Sequence, residues 1–345
     1  MKIQMVNTNI DNAKIFELTN SNSMVVKLTN VGARITEIYV ADKDGIFEDI
    51  VLGYSDINGY ITDTASVGAI CGRYANRIGN ASFVCDDIRY NLHKNNGSNT
   101  LHGGEFGFDV KFWDYELLSN GVKFTYYSKD GEENFPANVS VSVAYELDEE
   151  NMLHLHYEAE SDRKTPINLT NHTYFNLGSH CSNTAMAQTL YINANFYTPC
   201  DSTCLPTGEV HSVKGTPFDF TCPKLIEKDI NIDCEQLNFG SGYDHNFVLQ
   251  KNERDELSLA AELINNTNKR KMSVYTTMPA LQFYTSNFLS IKDGKNGYSY
   301  SKRDAVCLET QFFPDSTSHT HFPNCYIDKD KKFDHTTIFK FGIVD

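Results

Sequence analysis

The chain has 345 residues, 40% hydrophobic and 22% charged, a globular composition with enough length to bury a sizeable core in one large domain or two ordinary ones. A formal net charge of -15 repels phosphate backbones and anionic lipid, which argues against nucleic-acid and membrane partners. Nine scattered cysteines with no CxxC, a polar start (MKIQMVNTNIDNAKIF) and no apolar run of membrane-spanning length predict a reduced, soluble, cytoplasmic protein; the only close pair is Cys200 and Cys204.

Period-two alternation dominates from the start. MVVKLTN points Met24, Val26 and Leu28 one way, and GVKFTYYS repeats the pattern with Val122, Phe124 and Tyr126. Val139, Val141, Val143, Tyr145 and Leu147 then alternate with small or polar residues. Asp148 to Asn151 turn the chain, and Leu153, Leu155, Tyr157 and Ala159 resume the alternation, which predicts a hairpin. PINLTNHTYFNLGS begins as a strand at Ile167 and Leu169 and then crowds His172 between amides and aromatics. DELSLAAELIN holds helix-forming residues, yet Leu257, Leu259, Ala261 and Leu263 fall at alternate positions and predict a strand. Turn signals such as KDG, NNGSN and SNG recur between these segments. There is no βαβ spacing, no fixed-period repeat and no Pro/Gly/Ser-rich linker. The expected architecture is one all-β domain over residues 1–345, a large β-sandwich.

Nucleotide chemistry has no footing, because neither a G-x-x-x-x-G-K-[ST] loop nor a strand-to-helix G-x-G-x-x-G is present. His154-Leu-His156 and His319-Thr-His321 each place two imidazoles on one strand face, but no cysteine or well-spaced acid completes a metal site. Five clusters are unlike filler. GRYANRIGNASF carries Arg73, Asn76 and Arg77 beside glycines, NTLHGGEFGFDVKFW places His102 before two glycines and near Trp113, and GSGYDHNFVL opens an apolar strand with Asp244 and His245. AVCLETQFFPDS sets Glu309 within a strand, and the amides around His172 are placed to orient an imidazole. Each has a plain structural explanation on its own, and periodicity does not bring the five together in space.

Taken in order, the segments resemble the aldose 1-epimerases, also called galactose mutarotases. NLTNHTYFNL looks like the family's signature, and GRYANRI, LHGG, TPFDF, YDHNFVL, LQFYTSNFL and CLETQFFPD follow the family's order and spacing from about Gly32 to the TTIFKFG tail. The resemblance implies an antiparallel β-sandwich of the galactose mutarotase-like type. It also implies cofactor-free interconversion of the α and β anomers of free aldoses such as D-galactose and D-glucose, without a metal. The family's base falls on Glu309 and its acid on His172. Sugar contacts fall on Asn76, Arg77, His102, Tyr174, Asp244 and Gln282, with Arg77 rather than Arg73 reaching the sugar. In that scheme Glu309 takes the O1 proton while His172 protonates O5, the aldehyde rotates about C1–C2, and reclosure gives the other anomer. Two positions depart from the pattern: Ser286 stands where a glycine is usual, and YIDKDKKF replaces a Pro-Gly turn. The expected partner is a small aldose, with the chain a monomer or weak homodimer. The alternatives are a mutarotase for a hexose 6-phosphate, which would want more cations, a glycoside hydrolase using Asp244 and Glu309, and a non-catalytic sugar-binding protein.

Overall fold

The hairpin expected around Asp148 forms as strands Val139–Leu147 and Met152–Ser161, paired antiparallel with Val143 opposite Tyr157. All nine apolar residues of the alternation are buried, and each such side chain contributes roughly 1.5–3 kcal/mol where it is Val, Leu or similar in size. Asp148 closes the turn by accepting the N–H groups of Glu150 (2.9 Å) and Met152 (2.8 Å) on Oδ1. This computed structural model of the chain describes residues 1–344.

The hairpin lies within a nine-stranded antiparallel sheet. Spatially, its strands run Asp114–Leu117, Gly121–Ser128, Val139–Leu147, Met152–Ser161, Phe333–Ile343, Arg270–Thr276, Ser258–Ile264, Thr189–Ile192 and Lys224–Leu225. Two five-stranded antiparallel sheets share the core with it. One is N-terminal (Lys2–Asn7 to Phe47–Asp49), and the other runs His211–Ser212, Phe196–Thr198, Asp244–Val248, Ala280–Tyr284, Cys307–Gln311. Phe16 meets Phe124 edge to face at 5.6 Å, and Tyr145 Oη donates to Ala33 O at 2.6 Å, which joins the N-terminal sheet to the large one. Thr310 and Thr337 share a hydroxyl hydrogen bond of 2.5 Å between the large sheet and the third. Arg270, 1% exposed, donates to Val40 O, Ile46 O and Glu48, so a buried guanidinium pins the N-terminal sheet from the large one.

The strand expected in DELSLAAELIN exists, as Ser258–Ile264, but its alternation breaks. The register steps from Leu259↔Tyr275 to Ala261↔Val274, leaving Ala260 as a bulge residue. Ala260 and Ala261 are therefore both buried, while Leu257 is 47% exposed instead of continuing the inner row. Both departures from the family pattern have a local cause. Ser286 has φ 47°, where glycine is at ease, and its Oγ donates to Ala305 O (2.8 Å) and accepts the Ala305 N–H (3.2 Å). YIDKDKKF turns on Asp328, whose Oδ1 accepts the N–H groups of Asp330 (2.8 Å) and Lys331 (2.9 Å). No helix among the described residues is long and apolar enough to cross a membrane.

Candidate active site

Two strands of the third sheet supply the acids Asp244 and Glu309, and the strand between them supplies Gln282. Asn246 pairs with Gln282, and Gln282 pairs with Glu309, so three polar side chains stand abreast across the sheet. Asp244 and Cys307 lie two residues from Asn246 and Glu309 and share their face. The histidines arrive on the short pairings that cross this face. His172 follows the Thr170–Asn171 strand, and its backbone is fixed by His172 N to Ala69 O (2.8 Å) and Gly68 N to His172 O (3.0 Å).

The LHGG segment has a conformational reason. His102, Gly103 and Gly104 have φ of 52°, 92° and 114°, and a Cβ at Gly103 would stand 2.1 Å from Gly72 O. Only glycine lets the chain pass there, and the turn presents the His102 ring to the cleft. His102 N donates to Asn76 O (3.1 Å) and Asn76 N donates to His102 Nδ1 (3.2 Å). Nδ1 is thereby an acceptor, which puts the ring proton on Nε2, and burial, then His172 and Arg77, hold His102 neutral by pushing its pKa well down.

These segments enclose a cleft of about 650 Å³, lined by Asn76, Arg77, His102, His172, Tyr174, Asp244 and Glu309 among others. At its floor His172 Nε2 stands 3.6 Å from Glu309 Oε1, both residues at most 5% exposed. Cys307 Sγ lies 3.6 Å from His172 Nδ1, leaving Nε2 as the nitrogen that faces the acid. Burial lowers the His172 pKa to about 4. Burial, reinforced by Asp244 and only partly opposed by Arg77, raises Glu309 well above the ordinary carboxyl range. Glu309 Oε2 is buried without a protein hydrogen-bond partner. Arg77 Nη1 is 3.8 Å from Asp244 Oδ2, and Arg77 Nε donates to Asn96 Oδ1 (3.1 Å). Tyr174 Oη donates to Ala65 O (3.1 Å), and its ring centre is 5.0 Å from that of His172.

Seven of the eight expected site residues therefore line one cleft. Gln282 does not; it stands behind Asp244, donating Nε2 to Oδ1 at 2.6 Å, with its own Oε1 buried and unpartnered. Arg73 turns away, its guanidinium donating to the carbonyls of Pro136 (2.6 Å) and Ala137 (3.0 Å), and Trp113 is a core residue. His154 and His156 pair with Asp148 and Asp334, whereas His319 faces Asp315 and His321 bonds Gly208 O. Among the described residues, one donor set could hold a divalent ion: His172, Cys307 and Glu309 each offer an atom within 4.8 Å of the others. Sequence reasoning missed Cys307, although its position two residues before Glu309 placed it on the same face. It also missed Asn96, whose segment NNGSN reads only as a turn.

The fold and the site define a β-sandwich of the galactose mutarotase-like class whose polar cleft ends on a buried imidazole–carboxyl pair. A family model described as "Aldose 1-epimerase" matches residues 14–340. A galactose mutarotase from Bos taurus is 40% identical over 324 residues, covering 94% of this chain and 92% of that protein. The aldose 1-epimerase of Escherichia coli is 35% identical over 331 residues, covering 95% of each. The crystal structure of an aldose epimerase homologue from C. elegans superposes with a TM-score of 0.89 at 29% identity, covering 95% of this chain and 98% of that one. The chain belongs to the aldose 1-epimerase family.

Proposed function

We propose that this chain is an aldose 1-epimerase, an isomerase that interconverts the α and β anomers of free aldoses such as D-galactose and D-glucose. Glu309 and His172 move the protons. The observation that carries this reading is the buried 3.6 Å approach of His172 Nε2 to Glu309 Oε1 at the floor of a polar cleft. O1 and O5 of a pyranose are both bonded to C1, so one acid–base pair of this span serves both. Glu309 takes the O1 proton and His172 delivers one to O5, which opens the ring; rotation about C1–C2 and reversal of both transfers close it on the other face.

The pair's proton count fits these roles. The reactive form, carboxylate with imidazolium, holds one proton. After ring opening the pair still holds one, now on Glu309, with His172 neutral. Burial favours that second arrangement, since it pushes Glu309 up and His172 down. The same preference holds before the ring opens, so the pair rests with its proton on Glu309 and passes it to His172 to reach the reactive form. His102 donates Nε2–H to the sugar, Arg77 and Asp244 hold its hydroxyls, Asn76 fixes His102, and Tyr174 offers an apolar face. Gln282 serves the sugar by holding Asp244. Arg77 is the only Arg or Lys lining the cleft among the described residues, which disfavours a phosphorylated hexose.

The whole chain works as one domain in this reading, because a single buried cluster takes residues from Phe16 to Phe341. Polarimetry of fresh α-D-galactose and α-D-glucose tests the proposal. The wild type speeds the drift to anomeric equilibrium, and Glu309→Gln and His172→Asn each lose most of that gain with the fold intact. A wild type indistinguishable from buffer, or an active Glu309→Gln, overturns it.

A further inference from the structure

The close cysteine pair lies at the mouth of the same cleft. Cys204 lines the cleft and is half-buried, whereas Cys200 is 5% exposed behind it. Between them the chain doubles back. Cys204 N donates to Asp201 O (2.9 Å), Asp201 Oδ1 accepts the N–H groups of Thr203 (2.8 Å) and Leu205 (3.2 Å), and Cys200 bridges to Pro206. Asp201 N donates to Leu205 O (2.9 Å) and Cys200 faces Pro206 across the turn, so Cys204, two residues before Pro206, lies on the same side of it as Cys200. Gln236 clamps the Cys200 backbone through both its N–H and its carbonyl, at 2.8 Å each. His245 Nδ1 accepts the Asp244 N–H (3.1 Å), so its Nε2 carries the proton and lies 3.7 Å from Cys200 Sγ.

We propose that Cys200 and Cys204 are a modification site, oxidised by peroxide to a disulfide, and that closing it weakens sugar binding. The thiols are unequal in a way that sets the order of events. Cys204 lines the cleft while Cys200 is buried behind it, so peroxide entering the cleft meets Cys204 first. Cys204 is therefore the attacking sulfur, reached from the cleft. Its thiolate displaces hydroxide from hydrogen peroxide and becomes a sulfenic acid; Cys200 then attacks that sulfur, the S–S bond forms and water leaves. Two thiols and one peroxide give one disulfide and two waters, the two electrons passing from sulfur to oxygen.

The path to the sugar is short. Thr203, inside the closed loop, accepts the Asn99 amide on Oγ1 (3.2 Å); Asn99 and Asn96 exchange backbone hydrogen bonds; and Asn96 holds Arg77. Drawing Cys204 onto Cys200 also pulls its sulfur from the Phe239 carbonyl, 3.5 Å away, and disturbs Cys200 beside His245 and hence Asp244. The effect on binding rests on the function proposed above; the disulfide itself does not.

The test treats fully reduced protein with hydrogen peroxide, blocks the remaining thiols with N-ethylmaleimide and maps the peptides by mass. The expected result is a loss of two hydrogens within the peptide linking Cys200 to Cys204, reversed by dithiothreitol. The KM for galactose rises several-fold in step with the crosslink, with little change in kcat, and the Cys200→Ser variant shows neither change. Oxidation confined to the exposed Cys181 and Cys222, or a crosslink formed at unchanged KM, overturns the proposal. The mass readout needs no catalysis, so failure of the crosslink and failure of the epimerase reading are seen separately.

Discussion

Two buried pairs of opposite chemical character lie near each other in this fold and meet different fates. Arg34 and Asp63 approach to 2.5 Å with both side chains at 0% exposure. Asp63 accepts hydrogen bonds from Tyr54 Oη (2.7 Å), Ala65 N (3.0 Å) and Val67 N (2.7 Å), while Arg34 also donates to the carbonyls of Val67 and Asp109. Burial raises the Asp63 pKa, but Arg34 and these hydrogen bonds outweigh it, and the acid stays below its ordinary value. His172 and Glu309 are as deeply buried, yet they stand 3.6 Å apart, and Glu309 Oε2 has no protein partner. There burial wins and both groups are driven toward neutrality. The contrast shows that burial alone does not decide charge; a close counter-charge and hydrogen bonds to the charged form do. A fully bonded pair is structural, and an unsatisfied one is left poised to exchange a proton.

Breaking each pair should therefore damage different properties. The largest effect expected is on turnover: Glu309→Gln lowers kcat by about 10²–10⁴-fold while the midpoint of urea unfolding holds or rises, measured by polarimetry and circular dichroism. Asp63→Ala does the reverse in kind. It leaves Arg34 charged and unpaired in the core and costs about 3–5 kcal/mol in urea unfolding. It also reaches the site indirectly, because the 63–68 loop carries the Ala65 carbonyl that holds Tyr174 and the Gly68 amide bonded to His172 O. A smaller effect follows at His102. His102→Ala removes a neutral donor and the acceptor of the Asn76 N–H, and it raises KM for galactose by about tenfold to a hundredfold, roughly 1–3 kcal/mol of lost binding. The smallest is Ser286→Gly, where relief of the left-handed backbone nearly cancels the two lost hydrogen bonds with Ala305, for a net change within about 1 kcal/mol in thermal unfolding.

Local pattern carried most of the fold. The buried alternation of Val139–Leu147 and its partner strand is visible residue by residue, because one inner face needs one period. The bulge at Ala260 is not visible, since a one-residue slip leaves the composition of DELSLAAELIN unchanged and shows only in the pairing with Leu259 and Ala261. For the site, ordered motifs pointed to seven residues that do line the cleft. Strand position specifies the face of Gln282 but not its bond to Asp244, which shows only in the fold. The Arg34–Asp63 pair, 29 residues apart, and Asn96 beside Arg77, 19 apart, have no periodic signature; each is made by the turns between them.

The most direct test of the unsatisfied pair is the pH profile of kcat/KM for mutarotation. The active pair holds one proton. Below the His172 pKa of about 4 a second proton occupies the imidazole, and above the raised pKa of Glu309 the last proton is lost. The account predicts a plateau through neutral pH with its acid limb centred near 4. An acid limb centred near about 6.5, the ordinary imidazole value, would contradict it by showing that burial does not hold His172 neutral.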